Sequence, residues 1–333
     1  MKKIAILGST GVIGSKVLDV VRDYPKEFKV ISLTCGHESE KFNEQIKEFK
    51  PEIAVVGEED LVKAVSHPAI DLVIVAVVGT AGIKATLAAI KQKKNIGLAT
   101  KEVLVVAGEE VMKEARKNEV EIIPIDSEHS AIFQGLKSGE KREIKNIYLT
   151  MGQGKISQMN REELEKVTPE MVLNRKTWTM GQKISVDSAT CINKAFEIIE
   201  ARWLFGVRPE QIQVVIHPEY VCHSMVEFVD GSVIAELGVP DMKRYVSYAM
   251  FYPQRREVKN IPHINLAEKS LSFKAVDLEK FPGLQLGYLV LEKGGRAAKI
   301  LHQTDETAVT EFLKGEIKFT QIIPMIEKEI KKL

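Results

Sequence analysis

Three acidic residues in two short blocks have the types and the spacing of a metal site. Asp126 and Glu128 lie in Ile-Asp-Ser-Glu-His, and Glu197 lies in Asn-Lys-Ala-Phe-Glu. Because side chains alternate along a strand, an Asp-x-Glu pair at a strand end is predicted to place both carboxylates on one face. With Glu197 beside them, the three would form an all-oxygen site that suits Mg²⁺ or Mn²⁺ rather than zinc. His129, which follows Glu128, is predicted to support these carboxylates rather than to bind the metal itself.

A glycine-rich turn at the start of the chain predicts nucleotide binding. Gly8-x-x-Gly11-x-x-Gly14 lies between an apolar strand and an amphipathic helix. Such a turn lets the backbone approach a pyrophosphate, which lies on the free N–H groups of the helix N-terminus. A Rossmann-like turn that has lost its ligand is the structural alternative.

The end of the second predicted strand bears on the choice of cofactor. The strand ends in Thr-Cys-Gly36-His37-Glu38. An acid at this place usually binds the ribose 2′-hydroxyl and would repel a 2′-phosphate, an effect that His37 could partly offset. The residues therefore leave both NADPH and NADH open.

A third block, over residues 184–205, carries several polar side chains in an apolar context. Asn193, Lys194 and Glu197 follow at i, i+1 and i+4, so that Asn193 and Glu197 share one face of a predicted helix. Ser188 is predicted to lie just ahead of this helix, as a cap or an anion ligand. The structural alternative is a capped amphipathic helix with a surface lysine and glutamate.

The elements that must position these residues predict an α/β fold in several domains. A chain of 333 residues is too long for one ordinary core. Strands alternate with helices over residues 1–124, which predicts a Rossmann-like domain. Residues 125–252 are predicted to form an α+β catalytic domain with a flap at about 152–180 and a hairpin turn at Asp230-Gly231. A linker over 253–286 and a small all-α domain over 287–333 complete the prediction.

The predicted segments of the first domain can be compared directly with the structure. The strands are expected at 3–7, 28–34, 53–56, 72–76, 95–98 and 121–124, and the main helices at 16–22, 41–49, 81–92 and 108–117.

Composition limits the classes of partner. The chain is 44% hydrophobic and 28% charged, as expected of a soluble enzyme, and its formal charge of +1 favours neither nucleic acid nor membrane surfaces. Its three cysteines, Cys35, Cys191 and Cys222, have no metal-binding spacing and indicate a reducing compartment. The first apolar run ends at Gly8, too early for a signal peptide. A cytoplasmic location is therefore expected.

Taken together, several blocks resemble the 1-deoxy-D-xylulose 5-phosphate reductoisomerase family. These are Ala-Thr-Lys-Glu at 99–102, Pro-Ile-Asp-Ser-Glu-His-Ser-Ala at 124–131, the block at 184–205, and Leu-Gly-Val-Pro-Asp-Met at 237–242. The resemblance implies a homodimer that uses NADPH and Mn²⁺ or Mg²⁺. It also implies an isoprenoid-precursor reaction, in which a phosphorylated ketose is rearranged and reduced to 2-C-methyl-D-erythritol 4-phosphate.

The resemblance also assigns roles to individual positions. Asp126, Glu128 and Glu197 match the metal ligands and, with Lys101, the catalytic group. The substrate positions are Lys101, Ser127, Glu128, Gly152, Arg175, Ser188, Asn193, Lys194 and Glu197. The cofactor positions are Thr10, Gly11, Val12, Ile13, Gly36, His37, Glu38, Thr100, Glu102 and Gly181, and Trp178 falls on a mobile flap.

The chain departs from the family pattern at the substrate lid. Gly152 stands where the family has a serine that touches the substrate phosphate, and Arg175 stands where it has a histidine. Thr100 replaces an asparagine, and the chain is shorter near residues 57–61. Arg175 has a permanent charge and a bidentate guanidinium group. It could therefore compensate for the missing serine, or it could bind a substrate with a second anionic group.

Three alternatives to the family reaction stay open at this point. A paralogue could act on another sugar phosphate or a phosphonate, because the lid is altered. A semialdehyde dehydrogenase would need Cys191 as its nucleophile. A catalytically silent nucleotide sensor would have little reason to keep three carboxylates that are costly to bury.

Overall fold

The computed structural model describes residues 1–174 and 181–333 and begins with a six-stranded parallel sheet. Its strands are β1 Lys2–Leu7, β2 Phe28–Cys35, β3 Ile53–Val56, β4 Leu72–Val75, β5 Asn95–Leu98 and β6 Ile122–Pro124. They lie in the order β3-β2-β1-β4-β5-β6, which is the Rossmann order, and every pair is parallel. The prediction of a Rossmann-like domain is confirmed.

Helices connect the strands of this sheet and cover its faces. They are α1 Val12–Asp23, α2 Glu40–Phe49, α3 Leu61–Val65, α4 Gly82–Lys91 and α5 Glu102–Asn118. Helix α5 begins six residues before the predicted start at 108. Ala107 has non-helical backbone angles (φ −129°, ψ 19°), so a kink divides the helix and the regular pattern in the sequence covers only its second part.

Helix α6, Ser127–Gly135, follows β6 directly and changes the interpretation of the acidic pair. Asp126 is the N-cap residue of this helix and Glu128 lies in its first turn. The prediction that the two carboxylates share a strand face is therefore wrong. They project from the start of a helix, because the strand already ends at Pro124.

The second sheet has five strands and carries the rest of the catalytic region. The chain continues through β7 Ile144–Met151, α7 Arg161–Leu164, α8 Pro169–Leu173, α9 Gln182–Thr190, α10 Ile192–Phe205, β8 Ile212–Ile216, β9 Cys222–Phe228, β10 Val233–Leu237 and α11 Met242–Phe251. The sheet order is β10-β9-β7-β8-β11, where β11 is Lys274–Ala275; β7 and β8 are parallel, and the other pairs are antiparallel.

Two local predictions in this region have different outcomes. The hairpin between β9 and β10 is confirmed, since Gly231 turns the chain at φ +88° and its N–H donates to Phe228 O. Ser188, in contrast, does not cap the helix that carries Asn193, because Cys191 is the N-cap residue of that helix. It lies inside α9, where its hydroxyl donates to Ile184 O at 2.7 Å, and Cys191 at φ +65° separates α9 from α10.

The last part of the chain is helical but starts earlier than the sequence suggested. Strand β11, Lys274–Ala275, pairs with β8 at the edge of the second sheet, so the segment 253–286 is more than a connection. It is followed by α12 Pro282–Lys293, α13 Ala297–Leu313 and α14 Ile322–Lys331, which share a core with α9 and α10. Helix α11 packs in the core of the first sheet, beside α1.

Within residues 1–174 and 181–333, no helix has both the length and the apolar character needed to cross a membrane.

Candidate metal and nucleotide site

The three predicted metal ligands come together in space. Asp126 and Glu128 project from the start of α6, and Glu197 projects from the second turn of α10. One carboxylate oxygen of each lies within 4.8 Å of the other two. Because a divalent cation binds oxygen at about 2.0–2.6 Å, one ion between these oxygens could reach all three. The donor set, all carboxylate, fits Mg²⁺ or Mn²⁺.

Two buried lysines hold this carboxylate cluster together. Lys101 Nζ lies 2.6 Å from Asp126 Oδ2 and 3.2 Å from Glu197 Oε1. Lys194 Nζ lies 3.0 Å from Glu128 Oε1 and forms a second ion pair with Glu197. The cluster is thereby preorganised, with its mutual repulsion offset by two ammonium groups.

The pKa values of the cluster reflect both its burial and the charges of its neighbours. Burial raises the pKa of Glu197, and the neighbouring Glu128 raises it further, against the opposing effect of the two lysines. Burial would also raise the pKa of Asp126, but Lys101 and His129 outweigh it and hold that pKa well below its usual range. A divalent cation would relieve the repulsion that Glu197 experiences.

Two further groups support the cluster, and the sequence pointed to only one of them. His129 is fully buried, with Nδ1 2.9 Å from Asp126 Oδ2 and Nε2 2.9 Å from the Glu197 carbonyl oxygen. Burial opposes protonation of His129, but Glu200 and Asp126 raise its pKa to about 9. It therefore carries a proton on both nitrogens, and it donates to the Asp126 carboxylate and to the Glu197 carbonyl oxygen. This agrees with its predicted supporting role beside the carboxylates.

Glu200 is the member of the site that was not predicted. It lies three residues after Glu197, and this i, i+3 spacing on one helix face was the available signal. Its Oε2 lies 3.7 Å from Lys101 Nζ, and burial raises its pKa to about 7. Asp126, His129 and Glu200 also form a second group of converging metal-type atoms.

Some of the positions assigned to substrate binding contact this cluster directly, and for others only the place in the fold is described. Asn193 Nδ2 donates to Glu197 Oε1 at 2.5 Å, and the Ser127 hydroxyl donates to Glu128. Ser188 is half-buried on α9, and Gly152 directly follows β7. Arg175 and Trp178 lie outside the described residues, so their predicted contacts remain predictions.

The glycine-rich turn is built for close backbone approach. Gly8 has φ +86°, and a Cβ on Gly8 would overlap the backbone of Ala76. A Cβ on Gly14 would overlap the backbone of Gly8 and Ser9, so α1 can only pack this closely on the turn with glycine at both positions. Gly11 and Val12 are exposed, which leaves the N-terminus of α1 open to an anion.

The other cofactor positions of the first domain lie at the same edge of the sheet. Gly36, His37 and Glu38 follow β2 and are exposed, next to the β1 turn. Thr100 follows β5, and its hydroxyl donates to Val77 O at 2.6 Å. The remaining positions are Thr10 and Ile13 in the turn and first helix residues, Glu102 at the start of α5, and Gly181 at the N-cap of α9.

Three further residues of types that can do chemistry, two histidines and a cysteine, have structural surroundings. His217 Nε2 accepts hydrogen bonds from two backbone N–H groups, and His223 Nε2 lies 3.0 Å from Gly238 O. Cys191 is buried, with its sulfur 3.8 Å from Met151 Sδ. This environment does not resemble that of a nucleophile with a histidine base, and so gives no support to a semialdehyde dehydrogenase.

The Rossmann sheet with its open glycine turn, and the buried carboxylates that follow its last strand, define a dinucleotide-dependent oxidoreductase with a hard-metal centre. Comparison with known proteins identifies the group within this class. Residues 4–64 and 53–108 match the family described as 1-deoxy-D-xylulose 5-phosphate reductoisomerase. Residues 122–205 and 237–332 match two C-terminal domains of that enzyme. The chain belongs to the 1-deoxy-D-xylulose 5-phosphate reductoisomerase family.

Individual relatives cover nearly the whole chain. The 1-deoxy-D-xylulose 5-phosphate reductoisomerase of Desulforamulus reducens is 45% identical, over 99% of this chain and 92% of the relative. That of Caldanaerobacter subterraneus is 44% identical over the same shares. A solved structure of DOX-P reductoisomerase with NADPH, fosmidomycin and magnesium is 36% identical, with a TM-score of 0.92 over 99% of this chain and 89% of that one. The Zymomonas mobilis enzyme with NADPH is 32% identical, with a TM-score of 0.90 over 100% and 92%.

Proposed function

We propose that this chain converts 1-deoxy-D-xylulose 5-phosphate and NADPH to 2-C-methyl-D-erythritol 4-phosphate. The observation that carries the proposal is the convergence of Asp126, Glu128 and Glu197 within 4.8 Å. Asp126 and Glu128 directly follow the last strand of a sheet whose carboxyl edge carries a dinucleotide turn, and Glu197 joins them from α10. A hydride donor and a carbonyl-polarising ion are the two reagents that a reductoisomerase needs.

A divalent cation held by Asp126, Glu128 and Glu197 would polarise the ketone and the neighbouring hydroxyl of the substrate. Lys101 contributes a fixed positive charge beside this position. Burial would lower its pKa, but Asp126 and Glu197 outweigh burial and raise it well above the usual value. Lys101 therefore stays protonated and donates a hydrogen bond to developing negative charge, and it does not act as a base.

Lys194 is well placed to bind an anion, but all three of its N–H donors already have acceptors. Its Nζ donates to Glu128, to Glu197 and, at 2.6 Å, to Thr150 O. An ammonium group has three donors, so a substrate phosphate must replace one of these acceptors. We propose that metal binding at Glu128 and Glu197 releases Lys194 for this exchange.

The direct test is steady-state kinetics with NADPH, Mn²⁺ and 1-deoxy-D-xylulose 5-phosphate. We expect NADPH oxidation that requires the ketose phosphate and stops when the metal is chelated. A panel of other ketose phosphates under the same conditions addresses the alternative of a paralogue. Turnover of another member of the panel, with none on 1-deoxy-D-xylulose 5-phosphate, would contradict the proposal.

Glu38 provides a test of the cofactor assignment. It is exposed at the end of β2, where the 2′-phosphate of NADPH is expected, and its carboxylate would repel that group. We expect Glu38→Asn to tighten NADPH binding and to leave NADH binding unchanged or weaker, measured by fluorescence titration. Glu109→Gln, on the exposed face of α5, is the matched control. An unchanged NADPH affinity in Glu38→Asn would show that Glu38 does not face the phosphate.

Two further features belong to the proposal. We propose a homodimer, on the family resemblance, and light scattering of the purified protein would test it. We also propose a cytoplasmic location, which the bacterial origin of the relatives supports. Cell fractionation would test the second point.

A further inference from the structure

One contact at the edge of the second sheet involves the position where the family serine is missing. Strands β7 and β8 are parallel neighbours, and their last residues, Met151 and Ile216, are paired. The chain therefore leaves both strands at the same edge. Gly152 follows β7 there, and Tyr220 lies in the turn that follows β8.

The Tyr220 side chain occupies the space that a side chain at position 152 would need. A Cβ on Gly152 would lie less than 3.0 Å from Cε1, Cζ and the hydroxyl oxygen of Tyr220. Gly152 itself has an ordinary backbone conformation, because its φ is not in the left-handed region. What excludes a side chain at position 152 is Tyr220. The tyrosine hydroxyl thus lies within a few ångströms of where a serine hydroxyl would be.

The turn that carries Tyr220 is strained and firmly held. Tyr220 has φ +53°, an unfavourable value for a bulky residue that persists only where the surroundings enforce it. His217 Nε2 accepts from the N–H groups of Val221 and Cys222 at 3.1 and 3.0 Å. On the other side, Glu219 accepts hydrogen bonds from the backbone and hydroxyl of Ser272. Such strain, held from two sides, is characteristic of functional positions.

The same strand end also carries a cation of the active site. Thr150 lies two residues before Gly152, and its carbonyl oxygen accepts from Lys194 Nζ at 2.6 Å. Lys194 in turn contacts two metal ligands, Glu128 and Glu197. A half-buried phenol and a buried ammonium group at one strand end are the donors that an anionic group requires.

We propose that the Tyr220 hydroxyl binds the phosphate of the substrate, and that Gly152 is the small residue that makes room for it. The pair performs the task that the family resemblance assigns to a serine at position 152. This inference rests on the proposed function for the identity of the substrate. On this proposal, the serine hydroxyl that is missing at position 152 is replaced by the hydroxyl of Tyr220, which comes from the turn after β8.

Tyr220→Phe is the first test, since it keeps the ring against Gly152 and removes only the hydroxyl. A hydrogen bond to a charged group accounts for about a 10-fold to 100-fold change in affinity. We expect KM for 1-deoxy-D-xylulose 5-phosphate to rise by about that factor, with kcat changed less than about threefold, because the contact is the same in ground and transition states. The melting temperature and NADPH affinity should not change.

The matched control is Tyr148→Phe. Tyr148 lies on β7 itself, and its hydroxyl donates to Glu227 Oε2 at 2.7 Å, away from Lys194. We expect its KM to stay within about twofold of the wild type, because it loses a neutral hydroxyl that makes a hydrogen bond but touches no substrate. A rise in KM as large as that of Tyr220→Phe would overturn the assignment.

The exchange itself can be reversed. Gly152→Ser alone should impair the enzyme through its overlap with Tyr220, and Tyr220→Ser alone should remove the hydroxyl from the site. The double variant Gly152→Ser/Tyr220→Ser should recover KM to within about 10-fold of the wild type, as a strongly non-additive pair. Additive losses in the double variant would overturn the proposal.

A second measurement separates this inference from the proposed function. If the wild type does not turn over 1-deoxy-D-xylulose 5-phosphate, the proposed function fails, but calorimetry with inorganic phosphate on the Mn²⁺-loaded protein still tests Tyr220. A phosphate Kd that is at least about 10-fold weaker in Tyr220→Phe supports the anion site. An unchanged phosphate Kd, or a KM within twofold of the wild type, overturns it.

Discussion

Two clusters of lysines and carboxylates in the described part of the chain differ in how their carboxylate oxygens are arranged. The metal cluster consists of Asp126, Glu128 and Glu197 with two lysines, and its three carboxylates converge on one point. The second cluster, which we call the α9–α13 cluster, consists of Lys183, Asp187 and Asp305. Lys183 Nζ lies 2.6 Å from Asp187 Oδ2 and forms a second ion pair with Asp305, which joins α13 to α9.

Within the described residues, the α9–α13 cluster has only two carboxylates, and both form ion pairs with Lys183. Among the described residues, it is not a group of three converging metal-type side chains, and Asp187 Oδ1 and Asp305 Oδ1 have no hydrogen-bond partner there. Burial, and then Asp305, raise the pKa of Asp187 well above its usual value. Buried charge alone does not identify a functional site; an excess of convergent carboxylates does.

The largest expected effect comes from removing a carboxylate of the metal cluster. Glu197→Gln should lower kcat/KM by about 10²–10³-fold or more, because it removes a metal ligand and its stabilisation of developing charge. The free energy of unfolding should not decrease, since Glu197 is repelled by Glu128. Kinetics and urea denaturation measure the two quantities. Asp305→Asn, in the α9–α13 cluster, is the control that should retain activity.

The α9–α13 cluster should show the reverse pattern. Lys183→Met leaves two buried carboxylates without a cation, which should lower the free energy of unfolding by about 3–5 kcal/mol. Urea denaturation at pH 7 measures this. Adding Asp187→Asn and Asp305→Asn to Lys183→Met should recover most of the lost free energy of unfolding. If Lys183→Met costs less than about 1 kcal/mol, the cluster does not hold α13 in place.

Metal addition should distinguish the clusters directly. Mn²⁺ at about 100 times its Kd should stabilise the wild type by about 2.7 kcal/mol, because it binds the folded state. This stabilisation should be lost in Glu128→Gln and kept in Asp305→Asn, as followed by thermal unfolding with and without Mn²⁺. Its loss in both variants would mean that the clusters are not independent.

The smallest effect concerns the pH dependence of stability in the α9–α13 cluster. The pKa of Asp187 is raised in the folded state, so its contribution is present below the unfolded value of about 4 and is lost as the pH rises through the folded value. Asp187→Asn removes this titration. Its stability relative to the wild type should therefore increase with pH above about 4, by at most about 1.4 kcal/mol for each pH unit. A constant difference across that range would contradict the raised pKa.

The sequence by itself determined the features that depend on local backbone geometry. The turn from Gly8 to Gly14 could be predicted because its conformation requires residues without a Cβ atom. The alternation of strands and helices predicted the first sheet, and the spacing of Asn193 and Glu197 predicted that they share one helix face. In the structure these two side chains form a hydrogen bond there. The types of the three carboxylates predicted a hard metal.

Only the tertiary structure decided how distant segments meet. Asp126 and Glu128 converge from a helix start and not from a strand, because the chain turns into α6 directly after β6. His129 and Glu200 come together, 3.8 Å apart, only because α10 packs against α6, and no local spacing specifies that packing. Tyr220 lies 68 residues after Gly152, and only the parallel pairing of β7 with β8 brings its hydroxyl to the position where the family serine is absent. Contacts between segments so far apart in the chain depend on which strands pair and in which register. Local sequence patterns do not specify that pairing.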